Sequence, residues 1–407
     1  MPLRWLGRDG KLLIAARMVR AFAYGFISFV LAIYLKQRGL SEIAIGAVMT
    51  LSILGGTLFT VLTAFYADRI GRRRVLILFS FLIALSGLLF AFSNHPVFFL
   101  AAALIGAMNA TGYEIGPFLS IEQAILAQTG PESKRNRLFA LYNMAGLLAT
   151  ASGTLVGGVP GWLEKIGLSP IGSFQSLFLL YTFLGLVSAW MAFSLSEGVE
   201  GGTAPLSSQR LSPLSRKRIT RLSLLFSLDA FAGGFVIQSL VAYWFYTRFH
   251  VSLQTLSTLF FIAGLLTSLS FLVAARLADR IGLLETMVST HLLSHLLLIL
   301  VPLSPTFEIA VGFYLARMAL SQMDVPTRQA YTVALVAPSE RTAAASVTML
   351  SRSLTQSIAP SVTGVLIQSV SAAAPFFVAA GLKGLYDLLL YFQFRKEDVA
   401  VKPATRE

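Results

Sequence analysis

The chain has 407 residues, of which 56% are hydrophobic and 13% charged, and its formal net charge at pH 7 is +13. Soluble domains carry roughly 25% charged residues. This composition, with a mean hydropathy of +0.73, therefore excludes an ordinary soluble fold and indicates that the protein lies in a bilayer. The absence of cysteine excludes disulfides, thiolate metal sites and thiol nucleophiles.

Twelve apolar segments follow one another along the chain, each near or above the ~20 residues that cross a hydrocarbon core. These predicted spans, numbered 1 to 12, are 12–36, 43–66, 75–95, 97–125, 136–160, 173–195, 219–247, 254–279, 283–301, 306–332, 342–367 and 373–394. They predict an all-α membrane protein with 12 transmembrane helices. The polar stretch 196–218 predicts a flexible linker between six-helix bundles at 1–195 and 219–407, the second ending in a short cytoplasmic tail.

The basic residues are distributed unevenly among the connections. Of 32 Lys and Arg, 22 lie at the termini or in or within four residues of the even-numbered connections, and four lie in or next to the odd-numbered ones. By the positive-inside rule, both termini and residues 196–218 are expected in the cytoplasm, in a multi-pass protein of the plasma (inner) membrane. The basic surplus is thus topological, and no nucleic-acid partner is expected.

The two bundles repeat one another in sequence. Residues 20–26 match 229–235, residues 67–71 match 278–282, and residues 122–124 match 328–330, at offsets of 209, 211 and 206. An even number of spans per copy makes these parallel repeats about an axis along the membrane normal. We therefore predict two pseudo-symmetric six-helix bundles with the binding site at their interface.

The connection between spans 2 and 3 reads Asp68-Arg69-Ile70-Gly71-Arg72-Arg73. It resembles the signature loop of the major facilitator superfamily, and 279–282 resembles its second copy, without the trailing basic pair. The resemblance covers nearly the whole chain and implies a transporter that works by alternating access. Gly71 permits a positive φ, and Asp68 can pair with a nearby arginine. A cytoplasmic gate is expected, the alternative being a mere topology anchor; its residues would be Asp68, Arg69, Gly71, Arg72, Glu122, Asp279, Arg280, Gly282 and Arg328.

Ionisable groups inside spans are costly in a bilayer and mark functional or paired sites. They concentrate in spans 1, 4, 7 and 10, which the resemblance implies line a central cavity. Glu114, beside the helix breakers Gly112, Gly116 and Pro117, is the best-placed carboxylate for protonation. The expected cavity charges are Arg20, Glu114, Asp229, Arg317, Asp324 and, from span 11, Arg352.

Several pairings follow from position. Arg20 and Asp229 occupy equivalent repeat positions, and we predict that they pair across the cavity when the cytoplasmic side is closed. The alternative is separate partners within each half. Glu122 and Arg328 could likewise pair or brace the loops. The i,i+4 spacing predicts self-neutralised pairs for Asp324 with Arg328 and for Lys383 with Asp387.

His291 and His295 in span 9 have a spacing seen in metal sites, but no glutamate lies between them and no third ligand is evident. We interpret them as a packed, hydrogen-bonded pair. No metal and no cofactor are expected.

In span 5, residues 152–158 resemble the antiporter motif of the family, which lets helices of opposite halves pack closely. This favours proton-coupled efflux of amphiphilic organic compounds by a monomer whose partners are the solute, protons and lipid. Arg20, Arg317 and Arg352 support an alternative, a proton-coupled carrier of organic anions. No catalytic motif is present, which disfavours an integral-membrane enzyme; a channel or a non-transporting sensor also remains open. Neither the solute nor the direction of transport follows from the residues.

Overall fold

The computed structural model describes residues 6–106, 108, 110–112, 116–129, 134–200 and 211–395. Helix makes up 86% of the structure, and the described residues contain no strand, so the predicted all-α fold is confirmed. In chain order the helices are α1 (Arg8–Gln37), α2 (Glu42–Ile70), α3 (Arg72–Phe92), α4 (Pro96–Gly106), α5 (Pro117–Leu126), α6 (Arg135–Val156), α7 (Val159–Lys165), α8 (Pro170–Phe193), α9 (Pro213–Gly234), α10 (Gln238–Phe249), α11 (Leu253–Ile281), α12 (Leu283–Leu303), α13 (Phe307–Leu320), α14 (Asp324–Ala334), α15 (Arg341–Ser369) and α16 (Ala374–Phe394).

Each of the twelve predicted spans coincides with one of these helices or with a consecutive pair. Spans 4, 5, 7 and 10 are broken, into α4 and α5, α6 and α7, α9 and α10, and α13 and α14. Within the described part of the chain, nine of these spans are long and apolar enough to cross a membrane, with α6–α7 and α9–α10 each counted as one helix. The other three spans are the broken spans 4 and 10 and span 11, whose helix α15 is rich in Ser and Thr.

The break in span 4 lies where its glycines predicted irregular backbone. Gly112 and Gly116 have φ values of 83° and 148°, which an L side chain rarely adopts, and Pro117 then begins α5. Such backbone is not tolerated against lipid, because its polar groups need partners. One carbonyl of this segment, that of Ala110, accepts a hydrogen bond from the Ser239 N–H at 3.2 Å.

By their internal contacts, the helices form two units. Unit 1 comprises Met1–Ala204 with Ile237–Phe261, and unit 2 comprises Pro205–Val236 with Ile262–Glu407. These units differ from the predicted bundles, since α10 and the start of α11 belong to unit 1. There the Gln238 amide donates to Ser28 Oγ at 2.8 Å, Ser239 Oγ accepts from the Ala32 N–H at 3.1 Å, and the Tyr243 hydroxyl lies 3.0 Å from a Glu42 carboxylate oxygen.

Glycines allow α1 and α6 to approach closely within unit 1. A Cβ added to Gly25 would lie 2.2 Å from the Thr150 carbonyl oxygen, and one added to Gly153 would lie 2.0 Å from that of Phe22. Gly153, which belongs to the antiporter-like motif of span 5, therefore packs against α1 in its own half of the chain. The motif was predicted to contact the opposite half, and at Gly153 that prediction is wrong. Gly158 does meet the second repeat, since a Cβ there would lie 2.6 Å from Ser257 Oγ of α11.

The start of α9 is anchored by a carboxylate outside the spans. Glu340, in the short turn before α15, accepts hydrogen bonds from the Ser212 N–H at 2.5 Å and from Ser215 Oγ at 2.6 Å. These hydrogen bonds, with that from Ser215 the largest contribution, lower the pKa of Glu340 below its usual value. A negative charge at a helix N-terminus also interacts favourably with the helix dipole.

Glu340→Gln is predicted to lower the melting temperature of the purified protein by a few degrees at pH 7. Because the pKa of Glu340 is depressed in the folded state, its stabilisation is present above the unfolded value and is lost as pH falls through the folded value. The difference between wild type and variant should therefore shrink in acid. Thermal unfolding between pH 3 and pH 7 measures this, and a difference that does not vary with pH would contradict it.

Candidate functional site: two buried charge clusters

The first signature loop has the geometry expected from its sequence. Gly71 has a φ of 105°, and its N–H donates to the Ala67 carbonyl at 2.9 Å. Arg72 Nε donates to Asp68 Oδ1 at 2.8 Å. In the second copy Gly282 has a φ of 96°, so the repeats share this turn. Arg69, Asp279 and Arg280 are exposed.

A carboxylate that follows the first bundle in sequence contacts the first loop. Glu200 Oε1 accepts a hydrogen bond from the Arg73 N–H at 3.2 Å, and the Arg73 guanidinium donates to the Phe193 carbonyl at 2.5 Å. A Cβ at Gly71 would lie 2.9 Å from the same Glu200 oxygen. The sequence prediction missed Glu200 because this residue lies in the polar stretch interpreted as a flexible linker.

A first buried charge cluster, here called the Arg20 cluster, lies inside unit 1. Arg20 and Glu122 are only 2% and 1% exposed, and Arg20 Nη2 lies 2.7 Å from Glu122 Oε2. The Tyr142 hydroxyl donates to the same carboxylate oxygen at 2.6 Å, and Arg20 Nη1 donates to Ser188 Oγ at 3.4 Å. The cluster thus joins α1, α5, α6 and α8.

Aromatic rings complete the Arg20 cluster. The Arg20 guanidinium lies 4.1 Å from the centre of the Phe118 ring, and that of Arg17 lies 4.0 Å from the Tyr142 ring. Beside Arg20 and Glu122 is a cavity of about 10 Å³, at the lower limit of the space that can hold one water. Arg17 was not among the predicted site residues, although its i,i+3 spacing from Arg20 places both on one face of the helix.

A second cluster, the Asp229 cluster, lies inside unit 2. Asp229, 2% exposed, contacts Lys383 Nζ at 2.6 Å, Arg352 Nη1 at 2.8 Å and Arg328 Nη1 at 3.4 Å. Arg328 also contacts Asp324 at 2.5 Å, which is the predicted i,i+4 pair. Helices α9, α14, α15 and α16 therefore meet around one carboxylate.

The two clusters contain a charge-inverted repeat. Arg20 and Asp229 are equivalent in the duplication, and so are Glu122 and Arg328. The structure pairs Arg20 with Glu122 and Asp229 with Arg328, so the same contact between equivalent helices occurs twice with its charges exchanged. In this structure, therefore, Arg20 and Asp229 each have a partner within their own half of the chain. This is the alternative to the predicted pair between them.

One predicted pair is wrong. Lys383 and Asp387 do not neutralise each other, because Lys383 reaches Asp229 on α9. Asp387 instead lies 3.1 Å from His291 Nδ1 and 3.0 Å from His295 Nε2, both on α12. Spacing along one helix indicates a possible pair, but the neighbouring helices offered each charge a closer partner.

Two of the predicted cavity charges lie apart from these clusters. Arg317 is buried on α13, where its guanidinium donates to Met318 Sδ at 3.4 Å. Glu114 lies outside the described residues. Besides Arg17, the clusters bring in residues that the predicted site did not contain, namely Tyr142, Ser188 and Lys383.

Comparison with known proteins agrees with this architecture. The sequence profile of the Major Facilitator Superfamily matches residues 13–323 and 222–407. An uncharacterised membrane protein of Saccharomyces cerevisiae is 27% identical over 429 aligned positions, covering 97% of this chain and 96% of the yeast protein.

Solved structures share the fold at low identity. A crystal structure of the nucleoside transporter NupG has a TM-score of 0.76 at 14% identity and covers 96% of this chain and 100% of that chain. A D-xylose–proton symporter has a TM-score of 0.73 at 13% identity, with coverage of 94% and 96%. The human organic anion transporter MFSD10 has a TM-score of 0.63 at 18% identity, with coverage of 94% and 99%.

The signature turns, the duplicated helices and the profile match over most of the chain lead to one assignment. This chain belongs to the major facilitator superfamily.

Proposed function

We propose that this protein is a secondary active transporter that moves a small organic solute by alternating access, coupled to protons. The family and the fold indicate a transporter and not an enzyme. The observation that carries the proposal is the pair of buried carboxylate–cation clusters at equivalent positions of the two repeats. Charges kept in membrane helices at this energetic cost are typical of ion and substrate pathways.

Coupling to protons requires a carboxylate whose protonation changes its contacts. Glu122 borders a cavity of about 10 Å³, at the lower limit of the space that can hold one water, and it accepts hydrogen bonds from Arg20 and Tyr142. Protonating Glu122 would weaken its attraction to the Arg20 guanidinium and free that cation for another partner. Asp229 holds three cations in the same way in unit 2. Both residues are therefore candidates for the coupling site.

The solute class is part of the proposal. Efflux of amphiphilic organic compounds follows from the antiporter-like motif in span 5. Carriage of organic anions is the second candidate, and one observation favours it: three cations, Lys383, Arg352 and Arg328, surround the single carboxylate of Asp229. Arg352 has the most exposed side chain of these, at 23%, and could exchange its carboxylate partner for a carboxylate or sulfonate solute.

Orientation follows from the basic connections. We propose that both termini and residues 196–218 face the cytoplasm, that the chain lies in the plasma (inner) membrane, and that it acts as a monomer. The signature loops would then form a cytoplasmic gate that includes Glu200. The hydrogen bonds of α10 to α1 would lie toward the opposite membrane face and would have to break when that face opens.

The direct test uses purified protein in liposomes with an imposed pH gradient. Labelled amphiphilic cations and labelled organic anions are supplied separately, and accumulation of one class that collapses with a protonophore is expected. Glu122→Gln and Asp229→Asn should reduce gradient-driven accumulation more than solute exchange at equal pH, because exchange needs no net proton movement. Accumulation that persists without the gradient would contradict proton coupling.

The Arg20–Glu122 contact predicts a non-additive double-mutant cycle. Arg20→Ala alone should destabilise the protein by about 3–5 kcal/mol, since it leaves a buried carboxylate without its cation. Adding Glu122→Ala should restore part of that loss, because the cycle removes both charges. The exposed pair of Lys36 and Glu42 is the matched control, and Lys36→Ala should change stability by less than about 1 kcal/mol. Strictly additive effects at Arg20 and Glu122 would mean that their contact contributes nothing.

Asp68→Asn is predicted to slow transport strongly while the melting temperature stays nearly unchanged. The Asp68 side chain is 48% exposed, so its contact with Arg72 stabilises the fold little, whereas a gate depends on it in one state of the cycle. Asp279→Asn, in the copy that lacks the basic pair, is the control and should have the smaller effect. Equal transport by wild type and Asp68→Asn would reduce the loop to a topology anchor.

A further inference from the structure

The contact between α12 and α16 contains three side chains that carry metal-binding atoms. His291, His295 and Asp387 are 3%, 4% and 1% exposed. One potential ligand atom from each lies within 4.8 Å of the others. The sequence around the two histidines contains no third ligand. Asp387, for which the i,i+4 spacing predicted a pair with Lys383, supplies a third potential ligand in the structure. Imidazole and carboxylate are the donors that Zn²⁺ and its neighbours in the first transition series accept.

The charge at Asp387 is not balanced by a basic residue. In the described part of the chain, Asp387 has two partners within ion-pair distance, the rings of His291 and His295. The nearby cations are engaged elsewhere, Lys383 with Asp229 and Arg328 with Asp324. Neutral imidazoles would leave the buried Asp387 carboxylate with one uncompensated negative charge, which a bound cation or a proton would balance.

The distances fit a shared ion. His291 Nδ1 and Asp387 Oδ1 are 3.1 Å apart, and His295 Nε2 and Asp387 Oδ2 are 3.0 Å apart. Ligands 2.0–2.1 Å from a tetrahedral Zn²⁺ lie roughly 3.3 Å from one another. His291 and Asp387 are also aligned as a hydrogen bond, whereas His295 Nε2 and Asp387 Oδ2 are buried and close together but not aligned as one. Buried nitrogen and oxygen atoms that converge in this way can share a metal.

A second carboxylate lies behind one ligand. Asp324 Oδ1 is 3.8 Å from His291 Nε2, the ring nitrogen on the far side from Asp387. Histidine ligands commonly direct their second nitrogen toward a carboxylate, which fixes the ring orientation. Asp324, whose oxygen lies beyond hydrogen-bond distance in this structure, is therefore proposed as an electrostatic positioning residue for His291, in addition to its contact with Arg328.

We propose that His291, His295 and Asp387 bind a divalent transition-metal cation of the zinc class between α12 and α16. Three protein ligands leave a fourth position for water or for a donor atom of a bound solute. The ion also joins two helices of unit 2, so its binding stabilises the folded protein. This proposal concerns binding and holds whether or not the protein transports protons.

The chain permits a clean test with zinc alone as the probe. It has four histidines and no cysteine, so His95→Gln with His250→Asn removes the imidazoles outside the site. Asparagine is chosen at 250 because His250 has a φ of 51°, which asparagine tolerates. The full-length background variant is purified, treated with chelator, titrated with Zn²⁺, and assayed for bound metal by mass spectrometry. One zinc per chain and a raised melting temperature are expected.

Matched variants identify the ligands. His295→Gln and Asp387→Asn should each weaken zinc binding by more than about tenfold, and Asp324→Asn should weaken it by about tenfold. Asp387→Glu keeps a carboxylate and should retain more binding than Asp387→Asn, which covers the case in which Asp387→Asn fails to fold. Visible absorption of Co²⁺ in the background variant, abolished by added Zn²⁺, reports nitrogen and oxygen ligation without any change at the site.

Two results would overturn the proposal. In the first, the background variant retains no zinc after gel filtration and gives no Co²⁺ absorption, which would leave Asp387 balanced by a proton. In the second, zinc binds to His295→Gln and Asp387→Asn as tightly as to the background variant, which would place the metal on other carboxylates of the chain.

Discussion

The buried contact between a carboxylate and a cation is the interaction on which this structure depends. An ionised side chain inside a membrane helix loses its hydration, which costs free energy. Attraction to an opposite charge offsets this cost only when the partner is close and well placed. Arg20 with Glu122, and Asp229 with Lys383 and Arg352, meet at 2.6 to 2.8 Å for this reason. Each contact joins helices that are distant in sequence, so the charges determine which helices adjoin one another as well as where chemistry can occur.

A second constraint acts on the backbone. Peptide groups exposed to lipid have to be paired, and therefore the breaks in spans 4, 5, 7 and 10 require protein or water around them. Spans 4 and 10 are broken at the same stage of each repeat, and each supplies charged residues to a cluster after its break: Glu122 on α5, and Asp324 and Arg328 on α14. In span 7 the break separates α9, which carries Asp229 in unit 2, from α10, which is hydrogen-bonded to α1 in unit 1. A break at this point lets one span serve both units.

Much of this architecture could be predicted from sequence because it depends on local properties. Apolar length located twelve segments that each coincide with a helix or a consecutive pair of helices, and Gly112, Gly116 and Pro117 located the break in span 4. The duplication identified Arg20, Asp229, Glu122 and Arg328 as equivalent residues. Their partners could not be predicted in the same way, since a partner depends on which helices pack together. Spacing along the helix gave Asp324 with Arg328 correctly and Lys383 with Asp387 incorrectly. The third ligand of the histidine pair lies 96 residues away and was invisible to a local pattern.

The inverted charges of the repeat bear on how such a protein could move. Alternating access in folds of this kind is largely a rigid-body movement of one bundle against the other. An ion pair between bundles would have to be broken and re-formed in every cycle, whereas a pair within a bundle is not broken by the movement itself. The pairing of Arg20 with Glu122 and of Asp229 with Arg328 is of the second kind. Exchange of both signs at once preserves each internal pair, because the attraction depends only on the product of the charges. The free energy that distinguishes the two states then has to come from contacts that change during the movement. In the proposed cycle, the hydrogen bonds from α10 to α1 would be such contacts if α10 moves with α9, because they are neutral, few and made beside a break in the helix.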